Sequence, residues 1–143
     1  MKNFIFLLAA IFFFCSSCKK GDAGSNPLAE KYFESNILTK DFVVSFAKDS
    51  TTDLTSQYAG YTFVLLKEDL LHGPLTATKG TTTYTGSWSC NSDYSKLTIT
   101  LPNTPAEFQF LSRAWRFTSK KLPTLKLAPW FTRDPIELHM LRK

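Results

Sequence analysis

Cysteine is scarce in this chain, which has three cysteines among 143 residues. Cys15 and Cys18 lie close to the N-terminus, so Cys90 is the one thiol left for a folded domain. An intramolecular disulfide in that domain is therefore excluded, and the fold must depend on its apolar core. A lone cysteine in an apolar strand usually packs as a small hydrophobic residue.

Motifs for catalysis and for metal binding are also missing. A nucleophilic cysteine needs a nearby base, and we expect neither His72 nor His139 to lie near Cys90. Zinc sites show spaced Cys and His, and calcium loops show alternating carboxylates with a glycine, a spacing that Asp49 and Asp53 do not have. No glycine-rich loop precedes a helix. We therefore expect a non-enzymatic protein with no metal and no cofactor.

The longest apolar run covers residues 4–14. It is too short to span a bilayer, which needs about 20 apolar residues. Lys2 precedes the run and small residues follow it, as in a secretion signal, whereas a buried core helix would carry polar residues at helical spacing. The small residues before Cys18 resemble the lipobox of bacterial lipoproteins, in which the cysteine is acylated and the chain is cut before it. This resemblance implies a signal peptide over residues 1–17 and a lipid anchor on Cys18.

Two further segments follow the anchor. Residues 18–25 are rich in small and charged residues, which predicts a flexible tether. Residues 26–143 have the usual size of one domain. Asn26 and Pro27 are typical of a helix start, and they predict a short helix to about Phe33 whose apolar side carries Leu28, Tyr32 and Phe33.

From Asp41 onward apolar residues alternate with polar ones, which predicts strands. In the first strand Phe42, Val44 and Phe46 share one face, and Gly80 suits a hairpin turn. One helical turn is predicted within residues 105–111. The eight predicted strands cover residues 42–47, 61–65, 75–79, 81–90, 96–101, 113–119, 124–127 and 136–141.

Eight sequential antiparallel strands favour an up-and-down barrel, which removes its own edges. A transmembrane barrel needs strands of about 9–11 residues with a lipid-facing apolar band. Most of these strands are shorter, and their second faces carry charges such as Lys96, Arg116 and Lys126. The sequence therefore predicts an all-β fold, a soluble eight-stranded antiparallel up-and-down barrel (lipocalin-like) with a short N-terminal helix.

Several short motifs of the barrel region resemble the small lipocalin-like lipoproteins of Bacteroidetes. The resemblance implies an eight-stranded calyx-like barrel that is lipid-anchored in the outer membrane, on the periplasmic face or at the cell surface. Most members of that family have no assigned activity. The motifs are Ala59–Phe63, Thr76–Gly80, Tyr84–Trp88, Lys96–Ile99, Trp115–Thr118, Leu125–Leu127 and Ile136–Leu138.

Two hypotheses for function remain. In the first, the barrel interior binds a small apolar or amphipathic ligand, since interiors of this size either fill with side chains or hold one small molecule. Arg113 would then meet an acidic group of the ligand near the rim. The aromatic lining would be Tyr61, Phe63, Tyr84, Trp88, Trp115 and Phe117. In the second, these aromatics close the barrel, and loops such as Leu70–Leu71 contact an envelope protein partner.

The net charge of +5 is uneven along the chain. From Arg113 to Lys143 there are eight basic residues against two acidic ones, which indicates either an anion-binding surface or a solvated face. No nucleic-acid recognition motif is present, so we expect no nucleic acid partner.

A short polar motif lies in the loop after the first strand. Asp49-Ser50-Thr51 resembles the O-glycosylation signal of secreted Bacteroidetes proteins, with Ser50 as acceptor. The alternative is an ordinary polar loop.

Overall fold

The computed structural model describes residues 26–143, and it begins with helix α1 (Pro27–Asn36). The side chain of Asn26 caps this helix, because its Oδ1 accepts from the backbone N–H groups of Leu28 and Ala29, each at 3.2 Å. The helix runs one turn beyond the predicted end at Phe33. Phe33 is buried as expected, but Leu28 is 81% exposed, so it does not belong to the packed side.

Nine strands and a second short helix follow α1. The α2 helix (Phe108–Leu111) lies within the segment that was predicted to form a helical turn, and a 3-10 turn covers Thr55–Tyr58. The strands are β1 (Asp41–Asp49), β2 (Thr52–Asp53), β3 (Tyr61–Leu65), β4 (His72–Lys79), β5 (Thr82–Cys90), β6 (Lys96–Thr100), β7 (Ala114–Ser119), β8 (Thr124–Pro129) and β9 (Ile136–Arg142). Neither helix of residues 26–143 has the length and apolar character needed to cross a bilayer.

The sheet closes on itself. From β3 to β9 each strand pairs antiparallel with the next, β3 pairs with β1, and β1 pairs with β9 through contacts such as Val44 opposite Met140. The two-residue β2 only extends β1 as a hairpin. The predicted all-β fold, a closed eight-stranded up-and-down barrel with a short helix, is confirmed. Gly80 turns the β4–β5 hairpin with a φ of 60°, a conformation that costs glycine little.

One register shift changes the inner face of β1. The pairing with β9 slips between Val44 and Phe46, as at a β-bulge. Ala47 is therefore the buried residue, while the Phe46 ring lies on the outer face, 5.0 Å from the His139 ring. The prediction that Phe46 shares the inner face of Phe42 and Val44 is wrong, because a β-bulge inserts one residue into the strand and strict alternation does not account for it.

A helix closes each end of the barrel. At the α1 end, Phe33 packs against Trp88 and Tyr94, with ring centroids 5.7 and 5.0 Å away. At the α2 end, Phe108 packs against Tyr61 at 5.3 Å. One continuous apolar core connects these two plugs through the inner faces of the strands.

Candidate functional site

The residues predicted to line a ligand cavity divide between the two plugs. At the α2 end, the Phe108 ring contacts Tyr84 at 5.2 Å as well as Tyr61. Phe63 is buried next to Tyr61, with ring centroids 5.8 Å apart. These aromatics therefore pack on the α2 plug and on each other.

Trp88 and Phe117 belong to the α1 end instead. Both rings lie near Phe33, Trp88 at 5.7 Å and Phe117 at 6.4 Å. The Trp88 indole N–H donates to the carbonyl oxygen of Leu66 at 2.7 Å. This contact depends on Gly73, because a Cβ atom there would lie 2.2 Å from the same oxygen. The indole is thus fixed in place by packing and by a hydrogen bond.

Trp115 and Arg113 meet beside α2. The Trp115 ring lies 5.6 Å from Phe110, and its indole N–H donates to the carbonyl oxygen of Leu111 at 3.0 Å. The guanidinium carbon of Arg113 lies 5.0 Å from the Phe110 ring centroid and 5.4 Å from that of Trp115. Arg113 therefore sits near the rim, and it borders a surface hollow of about 800 Å³.

The predicted lining residues thus fill the barrel rather than surround one cavity. Tyr61, Phe63, Trp88 and Trp115 are buried against neighbouring side chains, and Tyr84 is half-buried against the same core. The main hollows found in residues 26–143 open to the surface. A filled interior is one of the two outcomes open to an eight-stranded barrel.

Two tyrosine hydroxyls at the α2 end form hydrogen bonds to Glu107. The Tyr58 hydroxyl donates to the carbonyl oxygen of Glu107 at 2.7 Å, and the Tyr61 hydroxyl donates to Oε1 of Glu107 at 3.0 Å. Burial raises the pKa of Tyr58. Burial, together with the Glu107 hydrogen bond, raises the pKa of Tyr61 to about 12. Both phenols are therefore neutral donors at neutral pH.

Cys90 lies closer to a histidine than expected. His72 on β4 pairs with Ser89 on β5, the residue before Cys90. The prediction that neither histidine lies near Cys90 is therefore wrong, because β4 and β5 are neighbouring strands. His72 is exposed, whereas Cys90 packs against the core. Burial raises the pKa of the Cys90 thiol to about 12. At neutral pH this thiol is protonated, and the thiolate is the nucleophilic form.

Ser50 occupies the exposed turn between β1 and β2. Its hydroxyl donates to Oδ1 of Asp49 at 3.3 Å, and its backbone N–H donates to the carbonyl oxygen of Pro135 at 3.1 Å. The side chain is accessible, as an acceptor for a glycan would have to be. Cys18, the predicted lipidation site, lies outside the described residues, as do the predicted signal peptide and tether.

An apolar groove lies on the surface of the α1 end, and we name it the Tyr94 groove. Its volume is about 470 Å³. It is bordered by α1, by the β3–β4 loop and by the β5–β6 hairpin, through Glu30, Lys67, Asp69, Leu70, Leu71, Ser92 and Tyr94.

Hydrogen bonds within the β3–β4 loop and an ion pair to α1 fix the shape of the loop. Oδ1 of Asp69 accepts from the backbone N–H groups of Leu71 at 2.7 Å and His72 at 2.8 Å. These bonds, that of Leu71 first, lower the pKa of Asp69. Lys67 forms an ion pair with Glu34 of α1 at 2.5 Å. The loop is therefore ordered, and Leu71 remains exposed at the groove.

Tyr94 is the unusual residue of this groove. Its ring is buried against Phe33, yet its hydroxyl has no hydrogen-bond partner within residues 26–143. Burial, with the charge of Glu30 next in weight, raises the pKa of Tyr94, so the hydroxyl is a neutral donor. Its backbone also has a φ of 57°, which is uncommon for a bulky residue. An unpaired buried hydroxyl costs about 1–3 kcal/mol.

Charges at the groove limit the ligands it suits. Glu30 and Asp69 place carboxylates at its border, while the ammonium of Lys67 is paired with Glu34. An anionic ligand would be repelled there. The groove therefore suits a molecule that carries no negative charge and has an apolar body and one hydrogen-bond acceptor.

Sequence reasoning found only part of this groove. The apolar pair Leu70–Leu71 was expected as a contact patch, and it does border the groove. Tyr94 was missed because it lies between the predicted strands 81–90 and 96–101, where alternation gives no information. A bulky aromatic residue inside such a short connection is the signal that could have pointed to it.

No protein-family model, curated protein or solved structure matches this chain. The class of the protein is therefore defined by its geometry, a closed eight-stranded antiparallel barrel with a helix at each end and a groove at the α1 end. Within residues 26–143, no three His, Cys, Asp or Glu side chains are grouped as metal ligands would be.

Proposed function

We propose that this protein is a lipid-anchored, non-enzymatic lipoprotein of the outer membrane that binds a small uncharged amphiphile in the Tyr94 groove. The observation that carries the proposal is Tyr94, which borders the apolar groove and whose buried hydroxyl has no hydrogen-bond partner in the described part of the chain. The filled barrel supports a site on the outer surface over one in the interior.

The energetics favour a ligand that accepts a hydrogen bond. Because the Tyr94 hydroxyl is buried without a partner from residues 26–143, it can recover about 1–3 kcal/mol when an acceptor reaches it. Leu70 and Leu71 supply the apolar contacts for the rest of the molecule. A ligand that lacks the acceptor would obtain only those apolar contacts.

The proposed anchor places this groove near the membrane. Residue 26 begins α1, whose Glu30 borders the groove. Residues 18–25 span at most about 28 Å when fully extended. A lipid on Cys18 would therefore keep the groove close to a bilayer, where small amphiphiles concentrate.

Binding is tested with two probes of the same shape, 1-indanone, which has a carbonyl acceptor, and indane, which has none. The full-length protein is held in phosphatidylcholine nanodiscs, and affinities are measured from NMR chemical-shift titrations. We expect 1-indanone to bind at least fivefold more tightly than indane, and Tyr94→Phe to abolish that difference.

The matched control is Tyr32→Phe, since Tyr32 lies at the same end but donates to the carbonyl oxygen of Lys120. It should leave both affinities unchanged. Equal binding of the two probes, or an unchanged preference for 1-indanone in Tyr94→Phe, would refute the proposal that the Tyr94 groove is the binding site. Saturable binding that instead shifts signals of Trp115 and depends on Arg113 would favour the barrel interior.

Anchorage is tested separately. Cys18→Ala should leave an unprocessed precursor without acyl label, because the proposed acylation requires that thiol. Normal acyl labelling of this variant in membrane fractions would show that the anchor is wrong.

A further inference from the structure

The β8–β9 loop exposes an aromatic side chain at its tip. Phe131 is 91% exposed, more than any other large apolar residue of the described chain. Its ring contacts Trp130 at 4.8 Å, and the backbone N–H of Trp130 donates to the carbonyl oxygen of Ala114 at 2.9 Å. The exposed Phe131 ring therefore packs against Trp130, whose backbone is hydrogen-bonded to β7.

The backbone of this loop is strained where Phe131 projects. Phe131 has a φ of 62°, in the left-handed region that bulky residues rarely adopt. Such a conformation persists only when the surrounding structure imposes it, and it is frequent at binding sites. The exposure of Phe131 is thus built into the fold.

Three cations surround the two aromatic rings. The ammonium of Lys96 lies 5.7 Å from the Trp130 ring centroid. Arg116 and Arg133 border a surface hollow of about 360 Å³ together with Phe131. Within residues 26–143 none of these cations belongs to an ion pair. We name Lys96, Arg116, Trp130, Phe131 and Arg133 the Phe131 patch.

Acidic residues are fewer near this surface. Asp134 follows Arg133 in the chain, and Asp134 and Glu137 border a neighbouring hollow that Arg116 also borders. The three cations of the Phe131 patch exceed these two carboxylates, so the surface favours anions.

We propose that the Phe131 patch docks on a lipid bilayer that carries anionic headgroups. An exposed aromatic tip with a Trp at its base suits the membrane interface, where amphipathic rings settle at headgroup level. The flanking Arg and Lys side chains match negative headgroups. A soluble polyanion would use the cations but would give the exposed Phe131 ring nothing to enter.

The patch is distinct from the Tyr94 groove in position and in chemistry. The β8–β9 loop lies at the end of the barrel where β1 finishes, since Asp49 pairs with Ile136, and α2 lies at that same end. The groove lies at the α1 end. Failure of one proposal would therefore leave the other standing.

Docking is tested by fluorescence quenching with the full-length protein. Vesicles contain phosphatidylcholine brominated on its acyl chains, with or without phosphatidylglycerol. Trp88 and Trp115 are buried and give a constant background, so quenching reports on Trp130. We expect quenching to increase at least threefold when phosphatidylglycerol is present and to be lost in Trp130→Phe.

Four variants complete the test. Phe131→Asn removes the ring but tolerates the left-handed backbone, and Arg133→Ala removes a cation; each should reduce the quenching at least threefold. Leu28→Ala, an exposed leucine on α1, and Lys121→Ala, an exposed lysine outside the patch, are the matched controls and should leave it unchanged.

Two results would overturn the proposal. One is quenching that is the same with and without phosphatidylglycerol and is unchanged in Phe131→Asn. The other is saturable binding of soluble polygalacturonate, weakened by Arg133→Ala, without any quenching by vesicles, which would assign the patch to acidic glycans.

Discussion

The two ends of the barrel are closed in the same way but differ in their polar groups. Each end receives an aromatic plug, Phe33 from α1 and Phe108 from α2. At the α2 end the hydroxyls of Tyr58 and Tyr61 donate to Glu107. At the α1 end the Tyr94 hydroxyl is buried without a hydrogen-bond partner among residues 26–143. Closing the barrel therefore does not require an unpaired hydroxyl. A ligand that accepts a hydrogen bond would find an unpaired donor at the α1 end.

The largest expected effect tests whether the two plugs are equivalent. Phe33→Ala and Phe108→Ala should each lower the free energy of unfolding by roughly 3–5 kcal/mol, because each leaves a cavity in the core. Urea unfolding followed by tryptophan fluorescence measures both. The exposed Leu28→Ala on α1 is the control and should change it by less than about 0.5 kcal/mol. A much smaller loss at one end would mean that the two ends differ in packing as well.

A smaller effect separates the two ends by their hydroxyls. Tyr58→Phe should cost about 1–3 kcal/mol, because it removes the donor to the Glu107 carbonyl. Tyr94→Phe removes a hydroxyl that has no partner in the described part of the chain, so the free energy of unfolding should stay unchanged or rise by up to about 1 kcal/mol. Equal losses in the two variants would show that the Tyr94 hydroxyl is paired after all.

The smallest effect is expected on the outer wall between the ends. Burial, and then the charge of Lys126, lowers the pKa of His139 from 6.5. Below about pH 6.5 the unfolded chain therefore takes up a proton more readily than the native one, and stability falls as the pH is lowered. His139→Gln should flatten the dependence of the unfolding free energy on pH between about 7 and 5. The same change at His72 is the matched comparison, and a flattened slope there alone would contradict the assignment.

Alternation predicted the inner faces wherever the strands are regular. Leu97 and Ile99 on β6 are buried, and Lys126 on β8 is exposed, as period two requires. Phe46 was assigned wrongly because a register shift lies just before it. A bulge depends on pairing with a partner strand, so a single strand's pattern cannot reveal it.

The candidate sites were harder to predict than the barrel. Tyr94 and Phe131 both lie outside the strands, where alternation gives no information. What distinguishes Tyr94 is that its ring packs against Phe33 of α1 and its hydroxyl is buried without a partner within residues 26–143, which depends on two distant segments meeting. What distinguishes Phe131 is its exposure on a loop anchored to β7. Burial and exposure of this kind depend on tertiary packing, so the pattern of a single segment does not reveal them.

The pairing of β1 with β9 also sets the order in which synthesis can complete the fold. Strand β1 cannot pair with its second neighbour, β9, until residues Ile136–Arg142 have been synthesised. Contacts between such distant parts of a chain form slowly. Until then β1 and β8 each present an open edge, which invites pairing with other chains. A nascent chain that stops before β9 therefore carries two aggregation-prone edges, and the last seven-residue strand removes both at once.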